Sequence, residues 1–141
     1  MKKREVFILD TIWAGLVKAK AGWKCEHCKV VGTRMEAAHV VGRRHRATRW
    51  GCSFGDGIKY DLCGHCLCHN CHQQYDEHGP REEAIVIGTI GVLRKAFIQR
   101  EAIKLVANNQ DFEQIKKFLE GLYDKHQIQR EKPETMDGPQ T

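Results

Sequence analysis

The chain has 141 residues, 41% of them hydrophobic, and carries a formal charge of +5. That length suits one small domain, expected over residues 1–126, with a polar, disordered tail over 127–141. No stretch is apolar for long enough to span a bilayer, and Asp10 breaks the N-terminal apolar run, which argues against a signal peptide.

Residues 5–20 read as a helix with Leu9, Ile12, Trp13, Leu16 and Val17 on one face, ended by Gly22. Trp13 is read as core packing. Residues 33–41 read as a short strand, with Met35, Ala37 and His39 on one face and Glu36, Ala38 and Val40 on the other. Residues 42–62 are rich in Gly and Arg, lack periodicity and read as a long loop. A second short strand is expected within 60–67, then a polar helix over 72–78 that Gly79-Pro80 interrupts. Three further helices follow, over 81–87 with Gly88 as its stop, over 92–107 with Asn108-Asn109 as its stop, and over 111–126. Asp111 is placed to cap the last one, with Phe112, Ile115, Leu119 and Leu122 on its inner face.

The cysteines carry the strongest signal. Of seven, six form Cys-x-x-Cys pairs: Cys25/Cys28, Cys63/Cys66 and Cys68/Cys71, with Cys52 left over. That pattern suits metal thiolates in a reducing, cytoplasmic setting better than a disulfide framework. A tetrahedral zinc site needs two such pairs, each on a tight turn. Cys25/Cys28 must be one, because no other pair precedes it. Cys68/Cys71 is the preferred partner, since His72 then starts the next helix beside the metal; Cys63/Cys66 is the alternative. Cys63-Gly64-His65-Cys66 is also the active-site tetrapeptide of disulfide isomerases, but no thioredoxin-like context surrounds it.

Charge is concentrated as well. No acidic residue lies between Glu36 and Asp56, whereas Arg43, Arg44, Arg46 and Arg49 do. Such a run reads as a solvated loop or, beside a phosphodiester site, as a clamp whose arginine forks match DNA phosphate oxygens. Trp50 could stack on a base or anchor that loop, and anchoring is the favoured reading.

Cys25-x-x-Cys28, Glu36-Ala-Ala-His39, the arginine stretch Gly42–Trp50 and Leu67-Cys-His-Asn-Cys-His72 occur in an order that resembles the HNH endonucleases of the ββα-metal (His-Me finger) group, most of all the phage-encoded type with four cysteines. The resemblance implies an α+β fold, with a ββα-metal core, a structural Zn²⁺ held by the two knuckles, and flanking N- and C-terminal helices. It implies His39 as the general base. His72, with Asp76 and His78, would hold a catalytic Mg²⁺, Mn²⁺ or similar ion. Such a protein would cleave or nick DNA in the cytoplasm, of the host if phage-encoded. Two positions depart from the family pattern: Ala38 stands where a metal ligand is common, and Cys63 where the motif has Asn. A non-catalytic zinc-stabilised DNA-binding module is the alternative, with an arginine loop that binds and a structural His39. An interaction protein whose C-terminal helices dock a partner is a third reading.

Overall fold

The computed structural model describes residues 1–32, 34–53, 60–77, 79–104 and 111–125. It is an α+β protein with two small two-stranded antiparallel sheets among helices. Helix α1 spans Lys3–Lys20, and Glu5 starts it by accepting a hydrogen bond from the Lys2 backbone N–H at 2.9 Å. Leu9, Trp13, Leu16 and Val17 are its buried stripe, as the periodicity predicts. Helix α6, Phe112–Lys125, packs against α1 and adds Leu119, Leu122 and Tyr123 to the same core. Asp111 caps α6 by accepting from the backbone N–H groups of Glu113 and Gln114.

Strand β1 is Met35–His39 and strand β4 is Gly64–Cys68; they pair antiparallel, Met35 opposite Cys68 at one end and His39 opposite Gly64 at the other. His39 and Gly64 meet Trp13 of α1, and a Cβ at Gly64 would collide with the Trp13 ring, so only glycine admits this approach. Glu36 and His65 point the other way, toward helix α3, which spans His69–Asp76 and follows β4 with no intervening loop. The expected alternation along β1 therefore holds.

Several boundaries differ from expectation. The stretch 42–62 is not a plain loop: it contains helix α2 (Arg46–Arg49) and strands β2 (Cys52–Ser53) and β3 (Tyr60–Asp61), which pair with each other. The strand expected over 60–67 is thus two, broken at Cys63, whose φ is 56°. Helix α3 begins three residues earlier than predicted. Gly88 does not stop a helix. Helix α4 runs Pro80–Ile90 through it because Ile85 and Val86 anchor the helix on the core, while Gly88 faces open space. The stop is Gly91, whose φ of 85° suits glycine. Pro80 opens α4 at the first turn, where its missing N–H costs nothing. Helix α5 spans Val92–Ala102 and ends short of the predicted 107, since Ile103, the next apolar residue, is exposed and finds no packing. The expected Asn108-Asn109 stop and the tail lie outside the described residues.

Candidate metal centre and cleft

The β1–β4 ladder organises two sites, one at each end. At the Met35–Cys68 end, Cys25, Cys28, Cys68 and Cys71 bring their four sulfurs within 4.8 Å of one another. Cys25 and Cys28 sit on a tight turn in which the Lys29 N–H reaches the Cys25 carbonyl and the Cys28 N–H donates to the Cys25 sulfur at 3.4 Å. Cys68 ends β4 and Cys71 lies in the first turn of α3. The Cys28 and Cys68 sulfurs are 3.8 Å apart. A tetrahedron with Zn–S bonds of about 2.3 Å has edges of about this length, so the donor set fits a metal ion such as zinc.

Electrostatics point the same way. Burial raises the Cys25 thiol, but hydrogen bonds from the backbone of Cys68 and of the turn outweigh it and bring the group down to about 7. Burial and the neighbouring sulfurs push Cys68 and Cys71 up. One thiolate is accommodated; four so close together would repel one another, and a shared cation would relieve that repulsion.

The alternative pair does not assemble. Cys66 is buried in the main core, and burial pushes its thiol up to about 12. Cys63 lies in a separate small core with Cys52 and Ile98. The Cys-Gly-His-Cys tetrapeptide thus sends its two thiols into different cores, which is unlike an isomerase site.

At the other end of the ladder lies a cleft of about 440 Å³ whose lining includes His39, Arg43, His72, Tyr75, Asp76 and Glu82. The structure therefore brings together the predicted base and two of the predicted ion ligands; His78 falls outside the described residues. Tyr75 ties α3 to the end of β1, its hydroxyl lying 2.6 Å from the His39 carbonyl and 3.1 Å from that of Val40.

Both cleft histidines are held by one nitrogen. His39 Nε2 is 3.1 Å from the Arg49 carbonyl. A carbonyl only accepts, so this partner assigns the proton to Nε2 and leaves Nδ1 as the basic nitrogen. The imidazole stacks on Trp13 with ring centroids 4.0 Å apart and planes 10° from parallel. Burial pushes His39 down to about 4, against the opposing pull of the Arg49 carbonyl and Asp10, so it is neutral at pH 7.

His72 Nδ1 lies 2.8 Å from Glu36 Oε1, and His69 Nδ1 lies 3.2 Å from Glu36 Oε2. Burial would raise the Glu36 carboxyl, but these two histidines outweigh it and hold it below the usual range. An ionised carboxylate accepts, so His72 carries its proton on Nδ1 and keeps the Nε2 lone pair, 3.7 Å from Asp76 Oδ2. A carboxylate behind the histidine of a metal site fixes the ring and raises its basicity. Sequence reasoning gave Glu36 no role. Its place on the strand face toward the coming helix, three residues before His39, was the available signal.

The arginine loop divides. Arg43, Arg44 and Arg46 are exposed. Arg49 is not a free clamp: its guanidinium forms a two-point bond with Asp10 of α1, at 2.7 and 3.1 Å. Trp50 is buried and donates its indole N–H to the same carboxylate at 2.9 Å, which is the expected anchoring role. Burial would raise Asp10, but Arg49 and Trp50 outweigh it and keep it low. Asp10 therefore fixes the segment that presents the Arg49 carbonyl to His39. Among the described residues no helix is long and apolar enough to cross a membrane. Comparison with family models, curated proteins and solved structures returns no match to this chain.

Proposed function

We propose that this chain is a metal-dependent HNH-type endonuclease that hydrolyses DNA phosphodiester bonds, with a structural Zn²⁺ on Cys25, Cys28, Cys68 and Cys71. The observation that carries the reading is the pair of imidazoles lining one cleft, each with one ring nitrogen held by an acceptor and the other left basic. His39 Nδ1 takes the proton of the attacking water. A base that sits near 4 is available at neutral pH but weak; an incoming phosphate, being anionic, raises it toward the range where general bases work best. His72 Nε2 and Asp76 would hold a divalent ion such as Mg²⁺ or Mn²⁺, which would supply Lewis-acid stabilisation of the charge on the phosphate. Glu36 holds His72 in the correct tautomer and orientation. Arg43, Arg44 and Arg46 contact DNA phosphates and fix the strand without reading its sequence.

The stacking of His39 on Trp13 and its low basicity also favour a second reading, a structural histidine in a DNA-binding module without activity. Supercoiled plasmid separates the two. The nuclease reading expects Mg²⁺- or Mn²⁺-dependent nicking that chelation stops and that His72→Ala abolishes while plasmid binding persists. Binding without nicking in any divalent metal supports the module instead.

A further inference from the structure

Cys52 and Cys63 belong neither to the four-cysteine cluster nor to the cleft. Their sulfurs are 3.1 Å apart, closer than two sulfurs that merely touch. Cys52 is 7% exposed and Cys63 1%, in a small apolar core with Ile98 that Val40, Val41, Ile90 and Phe97 flank. Among the described residues no third ligating group joins them.

The backbone aims the two thiols at each other. Cys63 holds a φ of 56°, in the left-handed region that residues other than glycine rarely adopt. It is fixed there from both sides: its N–H donates to Asp61 Oδ1 at 2.6 Å, and its carbonyl accepts from the Val40 N–H at 2.9 Å. Cys52 lies three residues after Arg49, whose carbonyl holds His39. Cys63 in turn bonds Val40, the residue after His39, so the pair lies close in sequence to both sides of the His39–Arg49 contact. A disulfide S–S bond is about 2.05 Å, so the sulfurs need to move by only about 1 Å.

We propose that Cys52 and Cys63 form a redox pair that closes to a disulfide on reaction with a hydroperoxide and ties strand β2 to the turn that precedes β4. The Cys52 thiolate attacks the peroxide oxygen and the O–O bond breaks. The product is a Cys52 sulfenic acid, and the departing oxygen takes up a proton to leave as water or an alcohol. The Cys63 sulfur then attacks the Cys52 sulfur, the S–O bond breaks, and the hydroxyl leaves as water with the Cys63 proton. In sum, two thiols and one hydroperoxide give one disulfide, one water and one alcohol or second water; the sulfurs lose the two electrons the peroxide gains. A dithiol reductant reverses the closure. The roles are unequal because the hydrogen bond from Cys63 lowers the Cys52 thiol, whereas that same bond and burial push Cys63 far up. The proposal stands independently of the nuclease reading.

The test uses the reduced, zinc-loaded full chain treated with about one equivalent of hydrogen peroxide. Free thiols are then blocked and the links assigned by peptide fragmentation. The expected result is a Cys52–Cys63 link with loss of two thiols, no zinc release, full reversal by dithiothreitol, and a Tm higher by roughly 5 °C. Cys63→Ser should trap a dimedone-reactive sulfenic acid on Cys52, and Cys52→Ser should leave Cys63 unlabelled. Zinc release with links among Cys25, Cys28, Cys68 and Cys71 before any Cys52–Cys63 link would overturn the proposal. So would the absence of any link, or dimedone labelling of Cys63 in Cys52→Ser.

Discussion

The two ends of the β1–β4 ladder are built on opposite terms. The Met35–Cys68 end is a symmetric cluster of four like donors that could hold a metal ion such as zinc. The His39–Gly64 end is asymmetric. Each cleft histidine has one nitrogen spent on an acceptor, Trp13 covers one ring, and the arginine segment is strapped to Asp10. The first end repeats one kind of donor, whereas the second fixes different groups by different partners. Because one ladder joins the two ends, damage at the cysteine end should reach the cleft, whereas changes to the cleft side chains should leave the cysteine cluster intact.

The largest effect expected is therefore at the cysteines. Cys68→Ser should lose the metal and unfold the domain, since structural zinc contributes an apparent 10–16 kcal/mol, roughly, to small domains at pH 7. Zinc content and circular dichroism on the purified variant check this; Cys66→Ser, outside the cluster, should retain zinc. Zinc loss in Cys66→Ser with retention in Cys68→Ser would reverse the pairing.

Next comes the strap. Asp10→Ala removes the acceptor of both Arg49 and the Trp50 indole. It should cost about 1–3 kcal/mol by urea denaturation, the range for leaving buried donors unpaired. Zinc content should not change. A stability within a few tenths of a kcal/mol of wild type would show that the strap is incidental.

Acid should weaken the cleft end. Burial pushes both His39 and His65 down to about 4, from an ordinary value near 6.5. His65 is fully buried, with Nδ1 2.7 Å from the Thr89 hydroxyl and, among the described residues, no partner for Nε2. Between pH 6.5 and 4 the unfolded chain binds protons that the folded chain refuses. Stability is therefore full above 6.5 and falls on acidification through that window, by on the order of 2–3 kcal/mol per histidine. Urea midpoints from pH 7.5 to 4.5 measure it. In His65→Leu the decline should be roughly halved; an unchanged decline would assign the acid sensitivity to other groups.

The smallest effect concerns the exposed arginines. Gln at Arg43 and Arg46 should weaken DNA binding regardless of sequence and flatten the salt dependence of log affinity by roughly one unit per lost contact. Arg49→Gln should act on stability instead, because Arg49 is already spent on Asp10. Equal salt slopes in wild type and the Arg43/Arg46 variant would place DNA on another surface.

How far the sequence was legible follows from the range of each interaction. Helices α1 and α6 and strand β1 were readable because their apolar spacing is local. The four cysteines that assemble were readable because two tight turns recur with knuckle spacing. Gly88 misled because glycine punctuates helices only where packing does not decide, and Ile85 and Val86 decide here. Arg49 looked like its neighbours until Asp10, 39 residues earlier, proved to be its partner. Glu36 was invisible for the same reason: its role exists only once α3 lies across β1. Cys52 read as a spare cysteine, and only the left-handed turn at Cys63 brings the two thiols together.

The central claim is that the His39–Gly64 end performs chemistry on the scaffold of the other end. It is tested most directly by His39→Ala, with plasmid nicking in Mg²⁺ or Mn²⁺, zinc content and DNA affinity measured on one sample. The account predicts a nicking rate lower by about 10²–10⁴-fold, the usual share of general acid–base catalysis, with zinc and affinity unchanged. A variant that nicks as fast as wild type, or a wild type that binds DNA with its zinc in place and nicks in neither metal, would contradict it.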